Sequence, residues 1–118
     1  MAYVDGFLLA VPAKKLAAYR RLAAKAGKVW REHGALEYRE CVGDDLQMHG
    51  TPFQKRVKPK RGEVIVFSWI VYKSRAHRDK ILPRILKDKR LAGSMDLKTM
   101  PFDVKRMSYG GFRLLVDL

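Results

Sequence analysis

The chain has 118 residues, of which 25 are Lys or Arg and 12 are Asp or Glu, so its formal net charge at pH 7 is +13. Because 47% of the residues are hydrophobic, the composition excludes a disordered basic tail. The length and the uniform composition predict a single folded domain that spans residues 1–118.

Cysteine content and hydropathy indicate the cellular compartment of the protein. Cys41 is the one cysteine, so the sequence excludes an internal disulfide and a paired-cysteine zinc site, which favours a reducing compartment. The longest uncharged apolar run, from Gly6 to Ala13, is far shorter than the roughly 20 residues that span a bilayer, and no charged leader precedes it. We therefore expect a cytoplasmic protein without membrane contact.

The first third of the chain predicts a strand, a long helix and a second strand. Residues from Tyr3 to Val11 are largely aromatic, aliphatic or β-branched, which is typical of a strand. Between Lys14 and His33, apolar residues recur on one side and cationic residues on the other, which indicates an amphipathic helix that closes at Gly34. The segment from Leu36 to Val42 then alternates as a strand. One face of it carries Leu36, Tyr38, Glu40 and Val42.

The middle of the chain predicts a basic loop, the clearest strand and a second helix. Five Lys or Arg residues crowd into Gln54 to Arg61 between turn-forming residues, which indicates an exposed loop. The strand from Glu63 to Tyr72 is rich in β-branched and aromatic residues. Ser74 can cap a helix that runs to about Asp88, and Pro83 inside that pattern predicts a kink or a late start.

The last part of the chain completes a recognisable order of elements. Leu91 to Phe102 is irregular, and Lys105 to Val116 predicts the last strand. The order β-α-β-β-α-β predicts an α+β domain with the ferredoxin-like arrangement, in which two helices cover one face of an antiparallel sheet.

Two strands carry apolar side chains on both of their faces. The first has Phe7 and Leu9 on one face and Val4 and Leu8 on the other, and the strand from Glu63 to Tyr72 shows the same pattern. Helices cover only one face of such a sheet, so the other face needs a second layer. We expect a homodimer that packs sheet to sheet about a two-fold axis. The alternative is a monomer in which the long loop folds over the open face.

Segments in order along almost the whole chain carry a resemblance to a known family. They are YVDGF (3–7), HGALEY (33–38), GDD (43–45), FSWI (67–70), SR (74–75) with RD (78–79), and MPFDVKRM (100–107) with YGGF (109–112). On these segments the chain resembles the YbaA-like family of small bacterial proteins, a domain of unknown function. The basic loop and Pro83, which depart from the pattern, leave the segments intact.

The resemblance implies a fold and an assembly but no reaction. The YbaA-like family is similar to the dimeric α/β-barrel superfamily, in which two ferredoxin-like subunits join their sheets into a barrel. Relatives in that superfamily include cofactor-free monooxygenases, small isomerases and haem-dependent enzymes. Because the family has no assigned activity, it supplies no catalytic residues, and oxidation or isomerisation enters by analogy alone.

Arg75 and Arg78 are the strongest candidates for binding an anionic ligand. Both share an angular position with the apolar stripe of the second helix, so both are predicted to face the sheet near the start of that helix. There they could bind a carboxylate or phosphate. The alternative, which we favour, is that they pair with inward-facing acids such as Asp5 or Asp103.

Aromatic residues suggest a pocket for an aromatic molecule. Tyr38, Trp69 and Trp30 could stack such a ligand, with His33 or Tyr109 moving a proton. Packing in the core is the competing interpretation for the tryptophans, and capping of the first helix is the competing one for His33. The candidate ligand-binding residues are Arg75, Arg78, Tyr38, Trp69 and Asp103.

Three further features carry little functional signal. Glu40, Asp44, Asp45 and His49 offer cation ligands, but their spacing matches no metal loop, so we predict no metal and no cofactor. The paired glycines after Tyr109 lack the lysine and the helix of a phosphate loop and favour a close backbone approach. The charge of +13 permits a nucleic-acid- or protein-binding module as the alternative function, but it is spread over several elements, so nucleic acid is not the preferred partner.

Overall fold

The computed structural model describes residues 1–47, 50–93, 96 and 98–118. Its strands are β1 (Tyr3–Pro12), β2 (Glu37–Val42), β3 (Glu63–Tyr72) and β4 (Ser108–Arg113). They lie side by side in the order β2-β3-β1-β4, and every neighbouring pair is antiparallel. The chain is therefore an α+β protein built on an open four-stranded antiparallel sheet.

The helices are α1 (Leu16–Glu32), α2 (Phe53–Val57), α3 (Arg75–Leu86) and α4 (Lys89–Ala92), with 3-10 turns at Ala13–Lys15 and Val104–Arg106. Gly34 follows α1 with a φ of 113°, a conformation that favours glycine and turns the chain toward β2. Ser74 caps α3 by accepting a hydrogen bond from the backbone N–H of His77. In the described ranges, no helix combines the length and the apolar character needed to traverse a bilayer.

The core lies between the sheet and the helices α1 and α3. We call the covered side of the sheet the helix face. One part of the core joins Leu9, Val11 and Val66 of the sheet to Tyr19 and Ala23 of α1. The other joins Ile70 and Tyr72 to Val29, Ile81, Ile85 and Leu91 of the helices. The expectation that two helices share one side of the sheet agrees with this packing.

The other side of the sheet, which we call the open face, is apolar. The strand register places Val4, Leu8, Phe67, Trp69, Val71 and Phe112 on it. Phe53 of α2 packs against Phe67 with 6.3 Å between the ring centroids, yet Phe67 remains 45% exposed and Phe112 remains 62% exposed. Within the described residues, α2 therefore covers only part of this face.

Some predicted boundaries need correction. The segment Gln54 to Arg61 is not wholly a loop, since it contains most of α2, although its five cationic side chains are exposed as predicted. The helix α3 starts directly after Ser74 and passes through Pro83, so the predicted late start is wrong. The last strand spans Ser108–Arg113 rather than Lys105 to Val116, since Val104–Arg106 form a 3-10 turn. Within the region predicted to be irregular, Ser94, Met95 and Leu97 lie outside the described residues.

Candidate functional site

An apolar cavity of about 250 Å³ lies between α1 and the helix face of the sheet. Its apolar walls are formed by Phe7, Leu9, Leu22, Ala23, Ala26, Trp30, Ile70, Met100, Phe102, Val104 and Met107. An apolar cavity of about 150 Å³ is known to be large enough for benzene. The cavity can therefore accommodate a molecule built on one six-membered ring.

Glu40 supplies a carboxyl group to the wall of this cavity. The hydroxyl of Tyr19 donates a hydrogen bond to Oε1 of Glu40 over 2.7 Å, and the hydroxyl of Tyr38 donates one to Oε2 over 3.0 Å. Ser68 lies opposite Glu40 in the register of β2 and β3, so its hydroxyl faces the same carboxyl and opposes the rise in its pKa. Three hydroxyl groups from three different elements thus converge on one carboxyl.

Burial dominates the electrostatics of this cluster. It raises the pKa of Glu40 above its ordinary value, although hydrogen bonds from Tyr19, Tyr38 and Ser68 oppose the shift. Burial and the neighbouring carboxylate also raise the pKa of Tyr19 and of Tyr38. Both tyrosines therefore remain protonated donors, while the carboxyl is the group that can exchange a proton nearer to neutral pH.

A glycine in the middle of α1 makes room for Tyr38. A Cβ atom at Gly27 would lie only 2.8 Å from Cδ1 of the Tyr38 ring, which is closer than ordinary packing allows. The ring also contacts Trp30, with 6.2 Å between the centroids. Gly27 thus leaves space against α1 for the ring of Tyr38, whose hydroxyl donates to Glu40 of the same strand.

A wide groove of about 1190 Å³ runs along α1 and the edge strand β2. Glu40, Tyr19 and Tyr38 line this groove as well as the apolar cavity. The carboxyl of Glu40 therefore stands at the boundary between an apolar chamber and an open surface.

A second polar cluster adjoins the cavity. The indole N–H of Trp30 donates to the hydroxyl of Tyr72 over 3.0 Å, and that hydroxyl donates to Oδ2 of Asp5 over 2.9 Å. Nη1 of Arg78 donates to Oδ1 of Asp5 over 3.1 Å, while the guanidinium lies 5.0 Å from the centroid of the Tyr3 ring. The alternative that Arg78 pairs with Asp5 is therefore confirmed, and its charge is already balanced within the fold.

Arg75 and Asp103 lie apart from both clusters. The side chain of Arg75 is 71% exposed, and its Nε is 3.7 Å from Oδ2 of Asp79, so the prediction that it faces the sheet is wrong. As the first residue of α3 it can turn outward, since no preceding helical turn confines it. Asp103 is exposed and accepts a hydrogen bond from the backbone N–H of Lys105, which caps the 3-10 turn.

The aromatic and histidine candidates also lie in different parts of the fold. Nε2 of His33 is 3.3 Å from Oδ2 of Asp88 at the end of α1. Trp69 lies on the open face and donates its indole N–H to Oε1 of Glu37 over 2.9 Å. Tyr109 is 74% exposed and stacks on Phe7. Among the candidate acid-base and ligand-binding residues predicted from the sequence, Tyr38 lines the cavity, as does Trp30 from the wider aromatic set.

Metal ligands do not cluster in the described part of the chain. Asp44 and Asp45 are exposed after β2, and Glu40 points instead into the hydroxyl cluster. His49 lies outside the described residues. No group of three His, Cys, Asp or Glu side chains within the described ranges is arranged to hold a metal ion.

The cluster around Glu40 was missed because its members are distant in sequence. Tyr19 lies within the apolar stripe of the first helix, and Ser68 lies within a strand of mostly apolar residues, so neither stands out as a polar partner. The available signal was a carboxylate on the same face of β2 as Tyr38, because an acid in an inward-facing position needs partners. Pairing Glu40 with Ser68 required the register of the sheet.

Comparison with known proteins places this architecture in a family. Residues 2–104 match the family described as "Protein of unknown function (DUF1428)", and the chain belongs to that family. It is 45% identical over 118 residues to "Uncharacterized protein YbaA" of Escherichia coli (strain K12), covering 99% of each chain. The protein of that name from Shigella flexneri matches to the same extent.

Among solved structures, the fold is similar to "De novo designed protein Foldit4", with a TM-score of 0.50. The likeness covers 97% of this chain and 99% of the designed one at 15% sequence identity. It therefore concerns the α+β fold alone. The resemblance to the YbaA-like family found in the sequence is confirmed by the family match and by the relatives.

Proposed function

We propose that the protein is a homodimer that binds a small, ring-sized and largely apolar molecule in the cavity beside Glu40. The observation that carries this proposal is a mostly apolar chamber of about 250 Å³ with one carboxyl in its described wall. That carboxyl accepts hydrogen bonds from Tyr19 and Tyr38 and faces Ser68. Apolar walls with a few convergent polar groups are the usual composition of a small-molecule site.

The chemistry of the wall favours a neutral or hydrogen-bond-donating ligand over an anion. An anionic group would meet the carboxyl of Glu40, whereas Arg78, the cation expected to receive it, is paired with Asp5 at 3.1 Å. Arg39, the cation in the lining, lies opposite Trp69 in the strand register, with its Nε 3.8 Å from Oε1 of Glu37. Trp30 and Tyr38 provide aromatic surfaces against which an aromatic ring can pack. We therefore favour an aromatic or alicyclic metabolite.

The dimer is proposed from the open face. Its exposed aromatic side chains, Phe67 and Phe112, form an apolar surface that α2 leaves partly uncovered. A two-fold axis would pack this surface against the same surface of a second subunit, so that both copies of these residues become buried. The strand order β2-β3-β1-β4 with α1 and α3 on one side supports a ferredoxin-like subunit of the dimeric α/β-barrel type.

Native mass spectrometry of freshly purified protein tests the ligand, followed by saturation-transfer NMR with phenol as the probe. We expect added mass or saturation transfer in the native chain, and its loss in Ala26→Phe, which fills the cavity. Ala24→Phe is the matched control, because Ala24 is exposed on the same helix and does not line the cavity. Native protein that carries no added mass and shows no transfer from phenol would overturn the proposal.

Sedimentation velocity tests the dimer. We expect a dimer for the native protein and a monomer for Phe112→Lys, because the substitution places a charge on the open face. Leu86→Lys is the control, since Leu86 is also exposed but lies on α3, on the opposite side of the sheet. A native monomer at micromolar concentration would refute the assembly. It would also favour the alternative of a binding module that uses the basic surface, for which net charge is the supporting feature.

A further inference from the structure

We propose that Glu40 is a catalytic residue that removes and returns a proton on a carbon next to a carbonyl group, so that the ligand class is a small cyclic ketone or enone. This inference rests on the proposed binding function and assigns a reaction to the same cavity. The hydrogen bonds of the carboxyl and the position of Glu40 between the cavity and the groove support this assignment.

The hydrogen-bond capacity of Glu40 leaves room for a substrate. An ionised carboxylate has about four lone-pair positions, and the hydroxyls of Tyr19 and Tyr38 occupy two, while Ser68 faces a third. At least one position is therefore free to accept a proton in a chamber whose walls are mostly apolar. Burial, which raises the pKa of Glu40, makes the carboxylate a stronger base than an exposed glutamate.

The tyrosines supply the complementary half of the reaction. When Glu40 takes the α-proton, the electron pair of the C–H bond forms the C=C bond of an enolate, and the carbonyl π pair moves to oxygen. The protonated carboxyl is a weaker acceptor than the carboxylate, so the hydroxyl of Tyr19 or Tyr38 can turn its hydrogen bond to the enolate oxygen. Returning the proton to the same carbon restores the ketone, and returning it two carbons along a dienolate moves a double bond. Both outcomes conserve atoms and electrons and need no oxidant or cofactor.

The position of Glu40 provides exchange with water. Because the carboxyl also borders the open groove, its acquired proton can be replaced from solvent before it is returned. The reaction therefore predicts incorporation of deuterium at the α-carbons of a bound ketone in D₂O. Cyclohexanone is a suitable probe, because its single ring is close in size to benzene, which fits a smaller apolar cavity of about 150 Å³.

The experiment follows cyclohexanone by proton NMR in D₂O, with binding measured by saturation transfer and exchange by loss of the α-proton signal. We expect the native protein to accelerate exchange above the buffer rate, and Glu40→Gln to bind cyclohexanone yet lose about 100-fold or more of that acceleration. Asp44→Asn is the control, since Asp44 is an exposed carboxylate just after β2 and lines neither the cavity nor the groove. It should keep the native rate.

The outcomes separate the reaction from the binding site. Saturation transfer without accelerated exchange in the native protein would overturn the assignment of Glu40 and leave the binding proposal standing. Acceleration that survives in Glu40→Gln would also overturn the assignment, because another group would then remove the proton. No saturation transfer from cyclohexanone to the native protein, together with a negative phenol test, would overturn both proposals.

Discussion

Arg78→Ala tests whether this arginine stabilises the fold or is available to bind a ligand. In the native protein Asp5 is 7% exposed, and its two oxygens accept hydrogen bonds from Arg78 and Tyr72. The substitution removes the cation that contacts Asp5 and leaves the carboxyl beside Asp79, whose charge raises the pKa of Asp5 further. The variant must therefore bury a charge with one hydrogen bond or bury a protonated acid.

The size of the effect follows from that choice. Removing one partner of a buried ion pair costs about 3–5 kcal/mol. Asp5 keeps its hydrogen bond to Tyr72, and the Arg78 side chain is itself 18% exposed, so we expect about 2–3 kcal/mol for this pair. For a domain of this size that loss lowers the melting temperature by roughly 10 °C.

The pH dependence of the loss is specific to Asp5. Burial raises the pKa of Asp5 even with Arg78 present, and removing Arg78 raises it further. A carboxyl whose pKa is higher in the folded state than in the unfolded state stabilises the fold at pH values below its unfolded-state pKa. That stabilisation is lost as the pH rises through the folded-state pKa. The difference in unfolding free energy between native and Arg78→Ala should thus be small near pH 4 and grow toward pH 7.

Urea unfolding at pH 4, 5.5 and 7 measures this difference. Arg75→Ala is the control on the same helix, because Arg75 is exposed and makes one long ion pair with Asp79, so its loss should stay within about 0.5 kcal/mol. Equal stability of Arg78→Ala and the native protein at pH 7 would refute the structural role. It would return Arg78 to the set of ligand-binding candidates.

Three other substitutions test separate contacts. Glu63→Gln should cost about 1 kcal/mol at pH 7, because Arg106 donates two hydrogen bonds to Glu63 and lowers its pKa to about 2. This contribution to stability is present above the ordinary pKa of glutamate and is lost as pH falls toward 2. The unfolding free energies of the native protein and the variant, measured at decreasing pH, should therefore converge. A difference that stays constant with pH would contradict the role of the ion pair with Arg106. Ser74→Ala should lose about 1 kcal/mol in urea unfolding through loss of the cap of α3, whereas an unchanged midpoint would show that the cap is dispensable. Gly27→Ala gains about 1 kcal/mol of helix propensity but places a Cβ atom 2.8 Å from the ring of Tyr38. We expect a net loss of stability and weaker phenol binding, and a more stable variant with native binding would mean that Tyr38 relaxes freely.

Local patterns predict most of the secondary structure. The strand Glu63–Tyr72 has the predicted bounds, and α1 ends where Gly34 indicated, because these signals lie within a few residues of each other. The prediction failed at residues 114–116, where an apolar run looks like a continued strand. There β1 ends its pairing with β4 at Tyr3 and Arg113, so the run has no neighbour in the described sheet.

The candidate site was less predictable because its geometry is tertiary. Helical angles alone placed Arg75 and Arg78 together, yet one reaches Asp5 across the fold and the other turns to solvent. Tyr38 was predicted to line a pocket. The position of its ring, from which the hydroxyl donates to Glu40, depends on the space left by Gly27 on α1. Sequence alternation shows which residues share a face, and packing decides which of them meet.

The two tryptophans lie on opposite sides of the sheet, and this gives the molecule two independent optical reporters. Trp30 borders the cavity and donates its indole N–H to a tyrosine hydroxyl, whereas Trp69 lies on the open face and donates to a carboxylate. Trp69→Phe would leave an emission spectrum that responds to occupancy of the chamber. Trp30→Phe would leave one that responds to burial of the aromatic surface, so a single fluorescence titration of each variant can distinguish filling of the interior from joining of two sheets.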